Sequence, residues 1–259
     1  MKYQIKQQDK FKFIEVGSGE PLVLLHGLFG ALSNFRDLID YFSTRFRVVV
    51  PMLPLFELDI FHTTVGGLAK FVHRFIDARG YNNVHLLGNS LGGHVGLVYI
   101  LKHPEKIKTL TLTGSSGLFE SGMGDSYPKR GNKDYIRKKT ELTFYDPAMA
   151  TDELVNEVFE ITNNRIKVIK IISLAKSAIR NNLGQELTRI KQPTCLIWGK
   201  NDTITPPFVA EEFKKLIPNS ELHLIDKCGH APMMEVPEEF NVILDQFLSK
   251  HHQPVSTLA

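Results

Sequence analysis

Cysteine is almost missing from this chain. Only Cys195 and Cys228 occur in 259 residues, and no metal-binding Cys/His spacing accompanies them. That argues against a disulfide framework or a cysteine-held metal centre, and two buried, reduced thiols are expected. Long apolar runs are missing too. None approaches the ~18 residues that a membrane span requires, and the polar, alternating start MKYQIKQQDKFKF does not read as a secretion signal. A cytoplasmic location is the resulting expectation. A charge excess is also absent, with 31 Lys and Arg against 28 Asp and Glu and a formal net charge of +3. The densest basic cluster, Lys129, Arg130, Arg137, Lys138 and Lys139, reads as a solvated helix face. No nucleic-acid motif joins it, so no nucleic-acid partner is expected.

What is present is a rhythm. Tyr3 to Gln7 and Phe11 to Val16 alternate as a hairpin would. Pro21 to Leu25 (PLVLL) is a continuous apolar run, as expected for a strand covered on both faces. Helical spacing over Asn34 to Phe42 precedes a strand at Arg47 to Val50. Val65 to Ala78 reads as a helix with Leu68, Phe71, Val72, Phe75 and Ile76 on one face. Val84 to Leu87 reads as a strand, Leu91 to Lys102 as a helix and Ile107 to Leu112 as a strand. Strand and helix in alternation imply right-handed crossovers and a mostly parallel sheet with helices on both faces.

From about 117 to 186 the strands stop. Helical patterns cover Asp134 to Leu142, Asp152 to Thr162 and Ile166 to Ile179, separated by loops such as SGMGDS. The α/β rhythm resumes with strands at Thr194 to Trp198 and Glu221 to Ile225. Helices follow at Pro207 to Leu216 and Pro237 to Leu248, opened by first-turn prolines. The pattern predicts an α/β core over 1–116 and 187–259 with a helical insertion over 117–186. The tail His251 to Ala259 reads as frayed.

Gly88-Asn89-Ser90-Leu91-Gly92 fits G-x-S-x-G between a predicted strand and a predicted helix. A sharp strand-to-helix turn strains the serine, and the flanking glycines remove the clashes. The hydroxyl then sits at a helix start, where N–H groups favour negative charge. The competing reading is a helix-capping serine in a Gly-rich turn.

A serine nucleophile needs a base. Of the ten histidines, His230 in Cys228-Gly229-His230-Ala231-Pro232 lies on the loop after the last predicted strand, at the carboxyl edge where α/β sheets place their sites. His62, His73 and His103 read as solvated, His94 as packing near the elbow, and His251 and His252 as tail residues. Asp202, after the next-to-last strand, is the carboxylate expected to orient His230. Asp226 is the runner-up and reads as a turn residue. An oxyanion needs two donors. They are assigned to the backbone N–H of Leu91 and, from His26-Gly27-Leu28-Phe29-Gly30, to that of Leu28, with Phe29 in reserve and near the substrate. His26 reads as a structural hydrogen-bonder. Neither cofactor nor metal is called for.

Together HGLFG, GNSLGG, WGKNDTITP and CGHAPMMEVPEEFN, in that order, resemble the α/β-hydrolase superfamily, specifically its small cap-bearing serine esterases and C–C-bond hydrolases. The resemblance implies an α/β-hydrolase fold with 117–186 as the helical cap, and an esterase acting on a small-molecule ester or acyl substrate. Two departures stand out. Many relatives carry Asp-x-Pro-Gly-x-Gly-x-Ser after the fourth strand, whereas residues 51–58 read Pro-Met-Leu-Pro-Leu-Phe-Glu-Leu. Without glycines this loop is expected to take another path. The GNS elbow also resembles that of meta-cleavage-product hydrolases, which carry a cap arginine and a tryptophan after the catalytic histidine. Arg165 stands at a candidate cap position and equally reads as a solvated helix-start residue, while Ala231 replaces the tryptophan. The mismatch favours ester hydrolysis. C–C-bond hydrolysis, other acyl-transfer chemistry and a non-catalytic ligand-binding protein of the same fold are the alternatives.

Overall fold

The computed structural model describes residues 3–29, 32–119 and 131–252. Eight strands form one sheet: β1 Lys6–Gln8, β2 Phe11–Val16, β3 Pro21–Leu25, β4 Arg47–Pro51, β5 Val84–Asn89, β6 Ile107–Thr113, β7 Thr194–Gly199 and β8 Ser220–Ile225. Their order is β1-β2-β4-β3-β5-β6-β7-β8. β1 pairs antiparallel with β2, and β2 with β4, while every later pairing is parallel. The parallel strands β5 and β7 are buried at every position, because helices cover both faces of the sheet.

The core helices are α1 Arg36–Phe42, α2 Val65–Ala78, α3 Leu91–Lys102, α7 Pro207–Leu216, α8 Pro232–Glu235 and α9 Pro237–His251. Two apolar clusters result. One joins α2, α3 and α7 to the sheet through residues such as Phe75, Val95, Trp198 and Phe213. The other joins α1 and α9 to it through Phe35, Ile39, Phe240 and Leu244. Between β6 and β7 the described residues hold three α-helices and no strand: α4 Lys133–Glu141, α5 Asp152–Asn163 and α6 Arg165–Arg180. SGMGDS, Lys129 and Arg130 of this segment lie outside the described residues.

Three local expectations need correction. The hairpin's first strand is Lys6–Gln8 rather than Tyr3 to Gln7, since Asp9 turns the chain with φ +52°. The helix expected from Asn34 begins as a 3-10 turn, and its α-helical part starts at Arg36. His251 is helical, not frayed. His252 then packs its ring 4.9 Å from that of Phe46 and places Nδ1 2.6 Å from a Glu20 carboxylate oxygen, which ties the helix end to the sheet. Residues 253–259 lie outside the described residues.

Candidate active site

The turn from β5 into α3 leaves no space. Ser90 adopts φ +55° and ψ −120°, a sparsely populated region that costs of order 1–3 kcal/mol for a non-glycine residue. The neighbouring glycines show why the turn can close. A Cβ on Gly92 would lie 2.1 Å from the Leu25 carbonyl oxygen, and one on Gly88 would lie 2.5 Å from Gly93 Cα. Ser90 N–H donates to the Thr113 carbonyl at 3.1 Å, which anchors the strained residue to β6. Leu91 is the first residue of α3, where an N–H has no partner within the helix.

Asp202 follows β7 and is buried. Its Oδ1 accepts the N–H groups of Ile204 (2.8 Å) and Thr205 (2.9 Å), and its Oδ2 accepts the Thr205 hydroxyl (2.8 Å). The remaining partner is His230, whose Nδ1 lies 2.9 Å from Asp202 Oδ2. Both carboxylate oxygens are thus occupied, and the imidazole is held by one edge. Asp226 is exposed, with Lys200 3.8 Å away, so the structure pairs His230 with Asp202.

His230 is fixed by its backbone as well. Its N–H donates to the Thr143 carbonyl at 2.8 Å, and its carbonyl accepts from the Asn89 side chain at 3.3 Å. Gly114, with φ +52°, passes beneath it: a Cβ there would sit 2.8 Å from Nδ1. Glu235 bridges two segments, accepting Gly229 N–H at 2.9 Å and Tyr145 N–H at 2.6 Å. Burial pushes its carboxyl up from the ordinary range. Thr203 donates its hydroxyl to the Leu142 carbonyl at 2.9 Å. The segment after α4 is therefore hydrogen-bonded to the loops that carry both His230 and Asp202.

Ser90, His230, Leu28, Phe29 and Leu91 line one cavity of about 420 Å³. The inserted helices form its far wall, through Ile136, Leu154, Val158 and Leu174 among others. Among the described residues that line it, Lys139 is the one lysine or arginine, and none is Asp or Glu. Arg165 is exposed at the start of α6 and is not part of the lining, so the structure does not bring it to Ser90.

The other histidines have structural partners. His26 Nε2 accepts Leu53 N–H at 3.1 Å, so its Nδ1 carries the proton and donates to the Gly27 carbonyl at 2.9 Å. Burial keeps this ring below the usual histidine range. It also anchors the unusual 51–58 loop, where no residue takes a positive φ and Leu53 and Leu55 are buried. His94 is buried, with Nε2 2.9 Å from the Asn181 carbonyl, and desolvation pushes it down to about 4.

Among the described residues, two groups could offer metal ligands: Glu20, His85 and His252, and Cys195, Glu221 and His223. Both lie away from the cavity, and in the first the Lys108 ammonium already bonds Glu20 at 2.6 Å. The two cysteines are free and buried.

Sequence patterns missed Thr205, Asn89, Gly114 and Glu235. Asp202 and Thr205, three residues apart, carry a local signal, that of a side chain accepting N–H groups further along its own turn. The others act across long sequence separations.

A mostly parallel sheet with a serine at a strand–helix turn and an Asp–His pair at the same edge defines a class of hydrolytic α/β proteins. The chain belongs to the alpha/beta-hydrolase fold family, whose model matches residues 20–144 and 160–237. It is similar to a 2-hydroxy-6-oxononadienedioate/2-hydroxy-6-oxononatrienedioate hydrolase of Burkholderia vietnamiensis, 29% identical over 91% of this chain and 90% of that enzyme. Lipase 3 of a Moraxella species is 26% identical over 86% of this chain and 75% of the lipase. Among solved structures, MGS-MChE2, an alpha/beta hydrolase enzyme from the metagenome of sediments of the Mar Chica lagoon, Morocco, is 44% identical with a TM-score of 0.80. That match covers 95% of this chain and 98% of the other.

Proposed function

We propose that this hydrolase is a serine carboxylesterase that works through an acyl-Ser90 intermediate. The observation that carries the reading is one cavity shared by a strained Ser90 and by His230, whose Nδ1 is held 2.9 Å from Asp202. With Nδ1 committed to the carboxylate, Nε2 is the ring nitrogen that takes the serine proton as Oγ attacks the ester carbonyl. The imidazolium then protonates the departing alcohol. A water, deprotonated by the same nitrogen, releases the acid and restores Ser90. The Leu28 and Leu91 N–H groups hold the oxyanion. Helices α4 to α6 act as the cap, and their apolar wall receives the acyl chain.

The names of several relatives support a second reading, hydrolysis of a C–C bond in a dienoic ketoacid. Against it stand Ala231 after the histidine and Arg165 outside the cavity. A panel of p-nitrophenyl esters of increasing acyl length, run beside one dienoic ketoacid, separates the two. Ester turnover abolished in Ser90→Ala supports the proposal. Turnover of the ketoacid alone overturns it.

A further inference from the structure

Helix α6 has two different faces. Leu174, Ala175 and Ala178 look into the cavity lining, whereas Ile166, Ile169, Ile172 and Ile179 are exposed, at 68%, 50%, 37% and 52%. At 100° per residue these four isoleucines, with Arg165, Lys176 and Arg180, fall on one side of the helix. A face of four isoleucines in water is costly unless something covers it. The neighbouring loop adds to it. Lys170 Nζ donates to the Phe56 carbonyl at 2.7 Å, and Ser173 Oγ to the Thr63 carbonyl at 3.0 Å, so residues 56–63 run beside α6. That loop exposes Ile60 and leaves Phe61 87% accessible. Six of the thirteen large apolar side chains exposed among the described residues therefore belong to α6 and this loop.

The charge on α6 is of one sign. Arg165, Lys167, Lys170, Lys176 and Arg180 are present, and the helix holds no acidic residue. The loop's own acids are engaged: Glu57 accepts Phe56 N–H, and Asp59 lies 2.6 Å from the His62 ring. Exposed isoleucine and phenylalanine beside five cations, which outnumber Glu57 and Asp59 of the loop and Glu157 beside Lys167, match an anionic lipid surface, where the apolar groups enter the acyl region and the cations meet the headgroups. A protein partner would gain from the isoleucines, but nothing in its general chemistry calls for a rim with this excess of cations.

We infer that α6 and the 56–63 loop dock the protein on an anionic membrane surface, without spanning it. Ile179 is both exposed and part of the cavity lining, so the docked face is continuous with the cavity wall. This makes esters of membrane-borne acyl chains the substrate class and rests, for that part, on the ester-hydrolase reading. The docking itself does not.

Co-sedimentation with vesicles of phosphatidylcholine, alone or mixed with phosphatidylglycerol, tests the inference. The full chain is expected to bind the anionic vesicles at least about tenfold more tightly than the neutral ones, since each cation near such a surface adds roughly fivefold. Ser90→Ala should bind as the wild type does, so a failure of the esterase reading leaves this readout intact. The triple variant Ile166→Ser/Ile169→Ser/Ile172→Ser should lose at least about tenfold in binding, with an unchanged circular-dichroism spectrum and urea midpoint showing that it is folded. Lys176→Glu/Arg180→Glu should remove most of the preference for anionic vesicles. Absence of vesicle binding, or a triple variant that binds as well as the wild type, overturns the inference. A dimer in size-exclusion chromatography that the triple variant dissociates, without vesicle binding, assigns the face to a second copy and overturns it equally.

Discussion

The cavity has two walls built on different principles. On the sheet side, Ser90, Asp202 and His230 are fixed by backbone: glycines with no room for a Cβ, a positive φ, and carbonyls and N–H groups within hydrogen-bonding reach. On the inserted side, α4 to α6 contribute side chains such as Leu154, Val158 and Leu174, and the hydrogen bonds that tie α6 to the core involve side chains, those of Lys170, Ser173 and Ser177. The first wall tolerates almost no substitution, and the second can change side-chain volume without moving the chemistry. Under the proposed function, the contrast assigns reaction type to the sheet edge and substrate choice to the helices.

The largest effect should come from the sheet side. Ser90→Ala and Asp202→Asn should each lower kcat for a p-nitrophenyl ester by about 10⁴-fold or more, measured at saturating substrate with folding verified by circular dichroism. Gly92→Ala should come next. Its new Cβ would overlap the Leu25 carbonyl, and urea unfolding should show a loss of about 3 kcal/mol or more; a stable, active Gly92→Ala would mean that the elbow has slack.

On the inserted side, Val158→Phe should shorten the acyl site. The ratio of kcat/KM for butyrate over acetate esters should fall roughly tenfold, in line with what a hydrophobic pocket discriminates, while acetate turnover changes little. Equal losses on both esters would show that this wall positions the catalytic groups as well. Glu235 joins the two walls, and Glu235→Gln should leave one of its two N–H partners unpaired. A fall in kcat of about 3- to 10-fold is expected, near the worth of one ordinary hydrogen bond, with KM nearly constant.

A separate effect is on stability against pH. Burial pushes His85 and His94 down to about 4, whereas in the unfolded chain they titrate near 6.5. Between these values the unfolded state binds more protons, so stability is complete above about pH 6.5 and declines as pH falls toward 4. Urea midpoints measured from pH 7 to 4.5 should fall, and fall less steeply in His94→Gln.

Much of this was legible in the residues. Helices α2, α3 and α7 begin and end where their apolar spacing and first-turn residues predict, because local periodicity and capping decide them. Ser90, Asp202 and His230 were marked by short motifs whose meaning depends on strand and helix context, which the α/β rhythm supplied. The rest depends on contacts between distant segments. Nothing local to Asn89 says that its amide reaches the carbonyl of His230, nor that the φ +52° of Gly114 makes space for an imidazole. Glu235 lies in a run that reads as a helix start, and its bond to Tyr145 N–H depends on how the insertion docks. Arg165 was marked by its position in the insertion, but helix rotation carries it outward, a property the apolar pattern of α6 leaves ambiguous because isoleucines occupy both sides.

The central claim is that the groups gathered at the sheet edge make Ser90 reactive. Treatment with a fluorophosphonate probe, followed by peptide mapping by mass spectrometry, tests it directly. One adduct on the peptide containing Ser90 is predicted, absent in Ser90→Ala, strongly slowed in Asp202→Asn and retained in Val158→Phe. A wild-type protein that stays unlabelled, or an adduct on any other residue, would contradict the account.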